Sequence, residues 1–392
     1  MDDDRQAFEK RLRSSSVAVV THTFATGQAQ EFFAYLQDRV KAAAFVGHPL
    51  RPHSQGWRSE AELFVGGRKT SSFKSLPMAG PLPLLLTRDL VFTLYAFLRF
   101  HRRFDLYYGA NNFNAILGIV LRKLGLVRKV IFNTVDYAPY RFKTAILNRL
   151  YHWADRFACY HSDYIWNLSP AMEEGRLRMG LVKEKSAPQM VVPIGGRFKE
   201  IERPHLDKIK RRTVVFMGHL VQEQGVEMLI DAWPRVVSLV PDARLEVVGT
   251  GPLLPSLKEK VSQHGVDPTV EFHGFVPDHR DLEKILSHCA IGVAPYVPDP
   301  KSFKWYADPG KPKQYMACGL PVITTNVSPI SKDIKMRKAG IVIEYDPEAL
   351  VNALVKLLTD DATHAEARSN AILLASEFDW EAIFDRALGQ VL

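Results

Sequence analysis

Cysteine is scarce in this chain: three residues in 392, Cys159, Cys289 and Cys318, far apart and odd in number. That excludes a disulfide framework and paired thiolate metal spacing, and it fits a reducing compartment with buried, inert thiols. Long apolar runs are missing too. A membrane-spanning helix needs about 20 consecutive apolar residues, and the nearest approach, residues 82–100, is broken by Pro83, Arg88 and Asp89. The start, Met1-Asp2-Asp3-Asp4-Arg5, has no secretory pattern, so a cytoplasmic location is expected. No repeat period or low-complexity tract is evident. The 13 histidines show no metal-ligand spacing with Cys or Asp.

What is present describes a folded chain. Apolar content of 46% and charge of 24% are ordinary globular values, and the length exceeds one core, so two domains are expected. Charge is uneven. Residues 1–195 carry 27 Lys and Arg against 16 Asp and Glu, a net of +11, while the remainder nets −3. The basic half is expected to meet something anionic: nucleic acid, lipid headgroups or a pyrophosphate-linked substrate.

Strand-sized apolar runs alternate with helical patterns, which argues for parallel α/β sheets. Strands are expected at 17–21, 44–48, 62–66, 106–109, 130–134, 164–168 and 190–193. A second series is expected at 214–217, 245–248, 270–272, 291–294, 322–324 and 341–344. The charged, aperiodic stretch after Gly196 reads as a linker. The expected division is 1–196, a linker at 197–212, a second domain at 213–378 and a C-terminal helix at 379–392.

The most pointed segment runs from Asp308 to Asn326. Asp308 is an acidic cap candidate and Pro309 a first-turn proline. Gly319 ends a short helix, and Pro321 opens the apolar strand Val322-Ile323-Thr324. A helix start offers unpaired N–H groups and the positive end of its dipole to an anion. Lys311 in that first turn adds a full charge, so a phosphate is the natural guest. An ordinary helix–strand unit with a solvated lysine has the same pattern, and both readings stand.

Pro309, Lys311, Tyr315, Ala317, Gly319, Pro321 and Val322 together resemble the donor-site segment of GT-B glycosyltransferases, where a helix start binds a nucleotide-sugar diphosphate. The resemblance implies an α/β fold of two Rossmann-like parallel-sheet domains facing each other across a cleft, the last helix crossing back to the first domain. Gln314 stands where many members carry a ribose-binding Glu. That Gln, with Ala307-Asp308 before the helix and Ala294-Pro295-Tyr296 upstream, is similar to the β-glucuronosyltransferases of xanthan assembly.

The same resemblance assigns further residues. The run from Phe216 to Ile230 looks like the opening of a donor domain, with Gly218 where the backbone approaches ligand closely. His219 and Gln224 replace an Arg and a Lys there, leaving Lys311 as the evident cation. Val276 follows a strand end that reads the nucleobase in the family. Tyr296 is expected near the sugar or diphosphate, or else is a core tyrosine. In the first half, His22 and Gly27 belong to a strand–loop–helix beside the cleft, where His22 is either a base or a loop-holding histidine. Asp136, just beyond the strand at 130–134, is the candidate base of an inverting transfer; capping the next helix is its other reading.

Asp-x-Asp occurs only at Asp2–Asp4, so no metal and no other cofactor is expected. The amides of Gly310 and Lys311, with the Lys311 ammonium, would meet the diphosphate charge. The implied activity is transfer from a nucleotide sugar, UDP-linked and with UDP-glucuronate a candidate, to a lipid-linked or polysaccharide-precursor acceptor. Inversion is favoured; a retaining enzyme and a non-catalytic nucleotide-sugar-binding scaffold are the alternatives. The basic amphipathic stretch 82–103, with Arg99, Arg102 and Arg103, suggests an anionic membrane surface as partner and a peripheral place at the inner face. A buried core helix is the other reading of its apolar face. No nucleic-acid-binding signature accompanies it.

Overall fold

A computed structural model describes residues 2–23, 27–49, 58–135, 137–299, 306 and 308–392. The chain forms two compact units, Met1–Pro193 with Trp380–Leu392, and Ile194–Asp379.

In the first unit α1 (Asp2–Ser14) precedes β1 (Ser16–Thr23), α2 (Gln28–Leu36) and β2 (Ala42–Pro49). The hairpin β3 (Glu60–Val65) and β4 (Arg68–Lys74) follows, then α3 (Leu82–Arg99), β5 (Phe104–Ala110), α4 (Asn112–Lys123) and β6 (Val127–Thr134). The series closes with α5 (Ala145–His161), β7 (Tyr164–Asn167), α6 (Pro170–Arg178) and β8 (Gln189–Val191). The sheet order is β4-β3-β2-β1-β5-β6-β7-β8. From β2 to β8 through β1 the pairing is parallel, Ser16 opposite Ala42 and Val17 opposite Leu106.

The β2–β3–β4 edge is antiparallel, against the all-parallel expectation. β4 escapes an apolar-pattern reading because it is an exposed edge with one large apolar residue, Phe73. The readable signal was Gly66-Gly67, whose positive φ angles of 55° and 76° suit a tight hairpin turn.

Right-handed crossovers place α3 to α6 on one face of this sheet and α2 on the other. The core on the α3 side is aromatic: Phe92, Phe97, Phe100, Phe104 and Tyr107. On the other side the last helix, α14 (Trp380–Gly389 once the second unit's helices are counted), packs on α2 through Phe384 against Phe32 and Tyr35. The Tyr35 hydroxyl donates to Asp385 at 2.5 Å, and Arg39 pairs with Glu381.

The second unit runs β9 (Lys210–Met217), α7 (Val226–Leu239), β10 (Arg244–Val248), α8 (Leu254–Gln263), β11 (Val270–Gly274), α9 (His279–His288) and β12 (Cys289–Ala294). It continues with α10 (Gly310–Ala317), β13 (Val322–Thr325), α11 (Ile330–Met336), β14 (Gly340–Ile343), α12 (Pro347–Thr359) and α13 (Asp361–Ser376). All pairings are parallel, in the order β11-β10-β9-β12-β13-β14. The expected linker is built into this unit. Phe198, Ile201 and Ile209 are buried, and the Arg203 guanidinium donates to the carbonyls of Ala317 and Phe198. Its charges hid its anchoring residues from a reading by composition.

Candidate functional site

Parallel strands end on one edge, so β9 to β14 deliver their following loops to the same side of the second unit. From β9 the chain steps to β10 on one side and later returns to β12 on the other, and ligands of open α/β sheets bind where the order reverses. The start of α10 lies at that point.

Asp308 does not cap this helix. The N-cap residue is Pro309, which makes no side-chain cap bond, and α10 begins at Gly310. The Asp308 carboxylate instead accepts from the Lys313 ammonium at 2.5 Å and from the Ile194 amide at 2.6 Å, while Lys313 also donates to the Ile194 carbonyl at 2.8 Å. Both side chains are buried, and burial shifts both toward neutrality: the Asp308 pKa is raised and the Lys313 pKa lowered. The acid is thus consumed in an interior pair that pins the helix, and the Gly310 and Lys311 amides keep an uncapped dipole end.

Lys311 is packed rather than solvated. Its ammonium donates to Gln224 Oε1 and lies 4.9 Å from the Phe216 ring centroid and 5.4 Å from that of Tyr296. Directly beneath is Gly218 at φ +142°, where a Cβ would fall 2.5 Å from Lys311 Nζ. Gly249, at φ +133°, would put a Cβ 2.0 Å from the Gly218 carbonyl oxygen. Two bare backbones therefore touch, which gives Gly218 a packing reason to lack a side chain. Gln224, a loss in the sequence comparison, is the acceptor that orients the cation. His219, the other replacement, is exposed, with Nδ1 2.8 Å from the Thr250 carbonyl.

Tyr315 fixes α10 from below, accepting from the Met217 amide at 2.6 Å and donating to the Val293 carbonyl at 3.3 Å. Tyr296 is 3% exposed, and its hydroxyl has no hydrogen-bond partner among the described residues; burial, with the Asp308 carboxylate adding, raises its pKa. Its backbone is held by the Thr325 hydroxyl, which donates to the Tyr296 carbonyl at 2.6 Å. Gln314 donates to Glu283 at 3.3 Å, so a carboxylate from α9 stands beside the position where the sequence lacks one. Val276 is half-buried beyond Gly274, whose carbonyl accepts from the Gly249 amide at 2.7 Å.

The first unit carries its own polar cluster at the end of β1. His22 is fully engaged: Nδ1 lies 3.0 Å from Asn111 Nδ2, and Nε2 faces Asp89 at 3.7 Å. Asn111 Oδ1 accepts the Asn114 amide at 3.0 Å, which fixes the Asn111 amide as donor to the ring. Asp89 is buried, yet the nearby His22 ring and the hydrogen bonds from Arg88 hold its pKa below the usual range. Gly27 caps α2 with an extended backbone, its carbonyl accepting the Glu31 amide. Asp136 lies outside the described residues. Its flanks are gripped by Arg176, which sequence reading passed over. That buried guanidinium binds Asp155 through both oxygens (2.8 and 3.1 Å), donates to Thr134 Oγ1 at 2.6 Å and stacks 5.2 Å from the Tyr137 ring centroid. The signal was an Arg inside a helix otherwise short of apolar residues.

Among the described residues one trio brings three potential metal-ligand atoms together, Glu246, Glu271 and His273. No spacing rule finds it, because it forms across neighbouring strands. Lys210 already pairs with Glu246 at 2.7 Å, so a cation there would meet an ammonium.

Two doubly wound parallel-sheet units, the second with a helix start at its strand-order reversal, constitute the GT-B fold. HepE of Anabaena, solved in complex with UDP, has the same fold, with a TM-score of 0.67 at 15% identity over 96% of this chain and 99% of that one. Residues 211–360, which build the site above, match the family Glycosyl transferases group 1. Among curated relatives, an uncharacterized glycosyltransferase of Haemophilus influenzae is 22% identical over 53% of this chain and 57% of its own length. The GDP-mannose-dependent alpha-(1-6)-phosphatidylinositol monomannoside mannosyltransferase of Mycolicibacterium smegmatis is 30% identical over 38% of this chain and 39% of its own. The matches thus span between about two fifths and three fifths of these relatives.

Proposed function

We propose that the chain is a metal-independent glycosyltransferase that binds a nucleotide sugar on its second unit. The observation that carries this is the uncapped start of α10, with the Lys311 ammonium held over the bare backbone of Gly218. Diphosphate oxygens would accept from Gly310, Lys311 and the Tyr296 hydroxyl, Gln314 and Glu283 would meet the nucleotide's hydroxyls, and Val276 would lie by the base. In the reaction the acceptor oxygen attacks the anomeric carbon, the bond to the diphosphate breaks, and the diphosphate leaves with the electron pair. Asp136 takes the acceptor proton, which makes the displacement single and inverting. His22 then holds its loop rather than moving a proton, since its Nδ1 lone pair is engaged by Asn111.

We assign the donor as UDP-linked, with UDP-glucuronate the first sugar to try because of the glucuronosyltransferase resemblance. A lipid-linked or polysaccharide-precursor acceptor at the inner membrane face suits the basic first unit. A retaining mechanism is the second reading, supported by relatives whose named products carry an alpha linkage. Calorimetry with UDP and GDP, then incorporation of labelled nucleotide sugars into lipid extract, tests the proposal. Absence of binding to either nucleotide refutes the donor site; binding without turnover leaves a scaffold subunit.

A further inference from the structure

The first unit exposes apolar side chains in two places, of which the stretch 82–103 is only one. In α3, Leu85, Phe92 and Phe97 are core residues while Leu84, Val91, Tyr95 and Leu98 are 45% to 60% exposed, and Arg99 is bound to Tyr95 at 2.7 Å and stacked on Phe73. Its basic end, with Arg102 and Arg103, lies just before β5 at the amino ends of the strands. A second exposed apolar cluster lies on the loop and first turns that follow the carboxyl end of β6. Tyr140 is 76% exposed, Ile146 70%, Leu150 58% and Trp153 60%, with Phe142 and Leu147 also exposed.

On α5 these side chains fall at i, i+4 and i+7, a single stripe. The surface is preformed. Asn148 accepts from the Phe142 amide at 2.8 Å and donates to the Phe142 carbonyl at 2.6 Å, so the loop is clasped to the helix; Trp153 stacks on Phe157. From Tyr137 to Ala154 the sequence has no acidic residue and includes Arg141, Lys143 and Arg149, all exposed. The next carboxylate, Asp155, is buried on Arg176.

We propose that this stripe, Tyr140, Phe142, Ile146, Leu147, Leu150 and Trp153 rimmed by three cations, is where the protein docks on an anionic lipid surface. An apolar face flush with cations and free of acids complements phosphate headgroups over acyl chains. A second copy of the chain would set the same cations against one another, which disfavours self-pairing. The position also has a use. The stripe follows directly from the loop that carries Asp136, so a lipid-bound acceptor would meet the first unit at the strand ends. That use rests on the glycosyltransferase reading; the docking itself does not.

The test is co-sedimentation of the full chain with phosphatidylcholine vesicles, with and without phosphatidylglycerol. Wild type should prefer the anionic vesicles and lose that preference as salt rises. Leu150→Gln/Trp153→Gln should cut binding by about tenfold per side chain. Arg141→Gln/Lys143→Gln/Arg149→Gln should remove on the order of a hundredfold of the anionic preference, about fivefold per charge. Arg102→Gln/Arg103→Gln should change little, and every variant should keep wild-type UDP affinity as evidence of folding. Equal binding to both vesicle types, or equal loss from the Arg102/Arg103 variant, overturns the proposal. So does a lipid-free dimer, seen by sedimentation velocity, that the Leu150/Trp153 variant abolishes. Failure to bind UDP with vesicle binding intact would instead remove the donor reading and leave the docking surface standing.

Discussion

Replacing Lys311 isolates one charge at the centre of the proposed donor site. A charge-assisted hydrogen bond contributes about 1.5–3 kcal/mol, which corresponds to roughly 10- to 150-fold in affinity for UDP. Alanine is the wrong probe, because Lys311 packs on Phe216 and Tyr296 and bonds Gln224. Truncation would remove the stem's packing and leave a gap, in addition to the about 0.5–1 kcal/mol of cation–ring contact that any neutral substitute loses. Lys311→Met keeps the stem over Gly218 and deletes the ammonium with its Gln224 bond and ring contacts, so no gap is added to the lost charge. In the free protein the ammonium already has an acceptor in Gln224, so diphosphate binding adds bonds to a held cation rather than recruiting a mobile one. Little ordering entropy is then lost on binding, and a loss toward the upper part of that range is expected. Calorimetry at low and physiological salt should show the weakened affinity and, for the variant, a shallower salt dependence. Melting temperature should move little. Unchanged UDP affinity in Lys311→Met would refute the diphosphate role, whatever activity remained.

Three other outcomes follow from the geometry. Lys313→Met leaves Asp308 buried without its partner and should destabilise the second unit by about 3–5 kcal/mol; Lys313→Met/Asp308→Leu should be less destabilised than the single variant, measured by urea unfolding. Asp136→Asn should lower turnover about 10²- to 10⁴-fold with UDP affinity retained, and an α-linked donor should yield a β-linked product by proton NMR; an α-linked product returns the chain to the retaining branch. His48 is buried between Ser59 and Thr93 with a pKa lowered to about 3, so it folds neutral. The unfolded chain binds the extra proton below its ordinary value of about 6.5, so stability rises with pH through this window and falls on acidification, by about 2 kcal/mol at pH 5; His48→Gln should flatten that slope in denaturant titrations.

Much of the architecture was legible because apolar runs and turn glycines are local signals. The strand positions flanking Gly218, Gly249 and Tyr296 follow from β-branched runs ending in Gly or Pro. Roles that depend on a distant partner were not legible. Asp308 has the spacing of a cap, and only the arrival of Lys313 and the Ile194 backbone at the same carboxylate shows why it fails to cap. Gln224 counted as a lost cation because its contact with Lys311 spans 87 positions. Arg176 was passed over for the same reason: Thr134, Asp155 and Tyr137 converge on it only in three dimensions. The apolar residues of 140–153 carry the same composition as a core helix, and composition does not say which helix the sheet leaves uncovered.

The floor under Lys311 has a practical meaning for anyone wishing to change what the proposed donor site accepts. Gly218 and Gly249 meet backbone to backbone, and a Cβ on Gly251 would fall 2.4 Å from the Leu220 carbonyl oxygen. A mutant library spread evenly over the loops would spend much of its diversity on positions where any side chain collides with main chain. Variation there reports on folding and says nothing of specificity. The tunable positions are the rim side chains His219, Gln224, Val276, Glu283 and Gln314, which surround that floor without forming it. A selection for new donors should recover changes at these five and leave the glycines untouched.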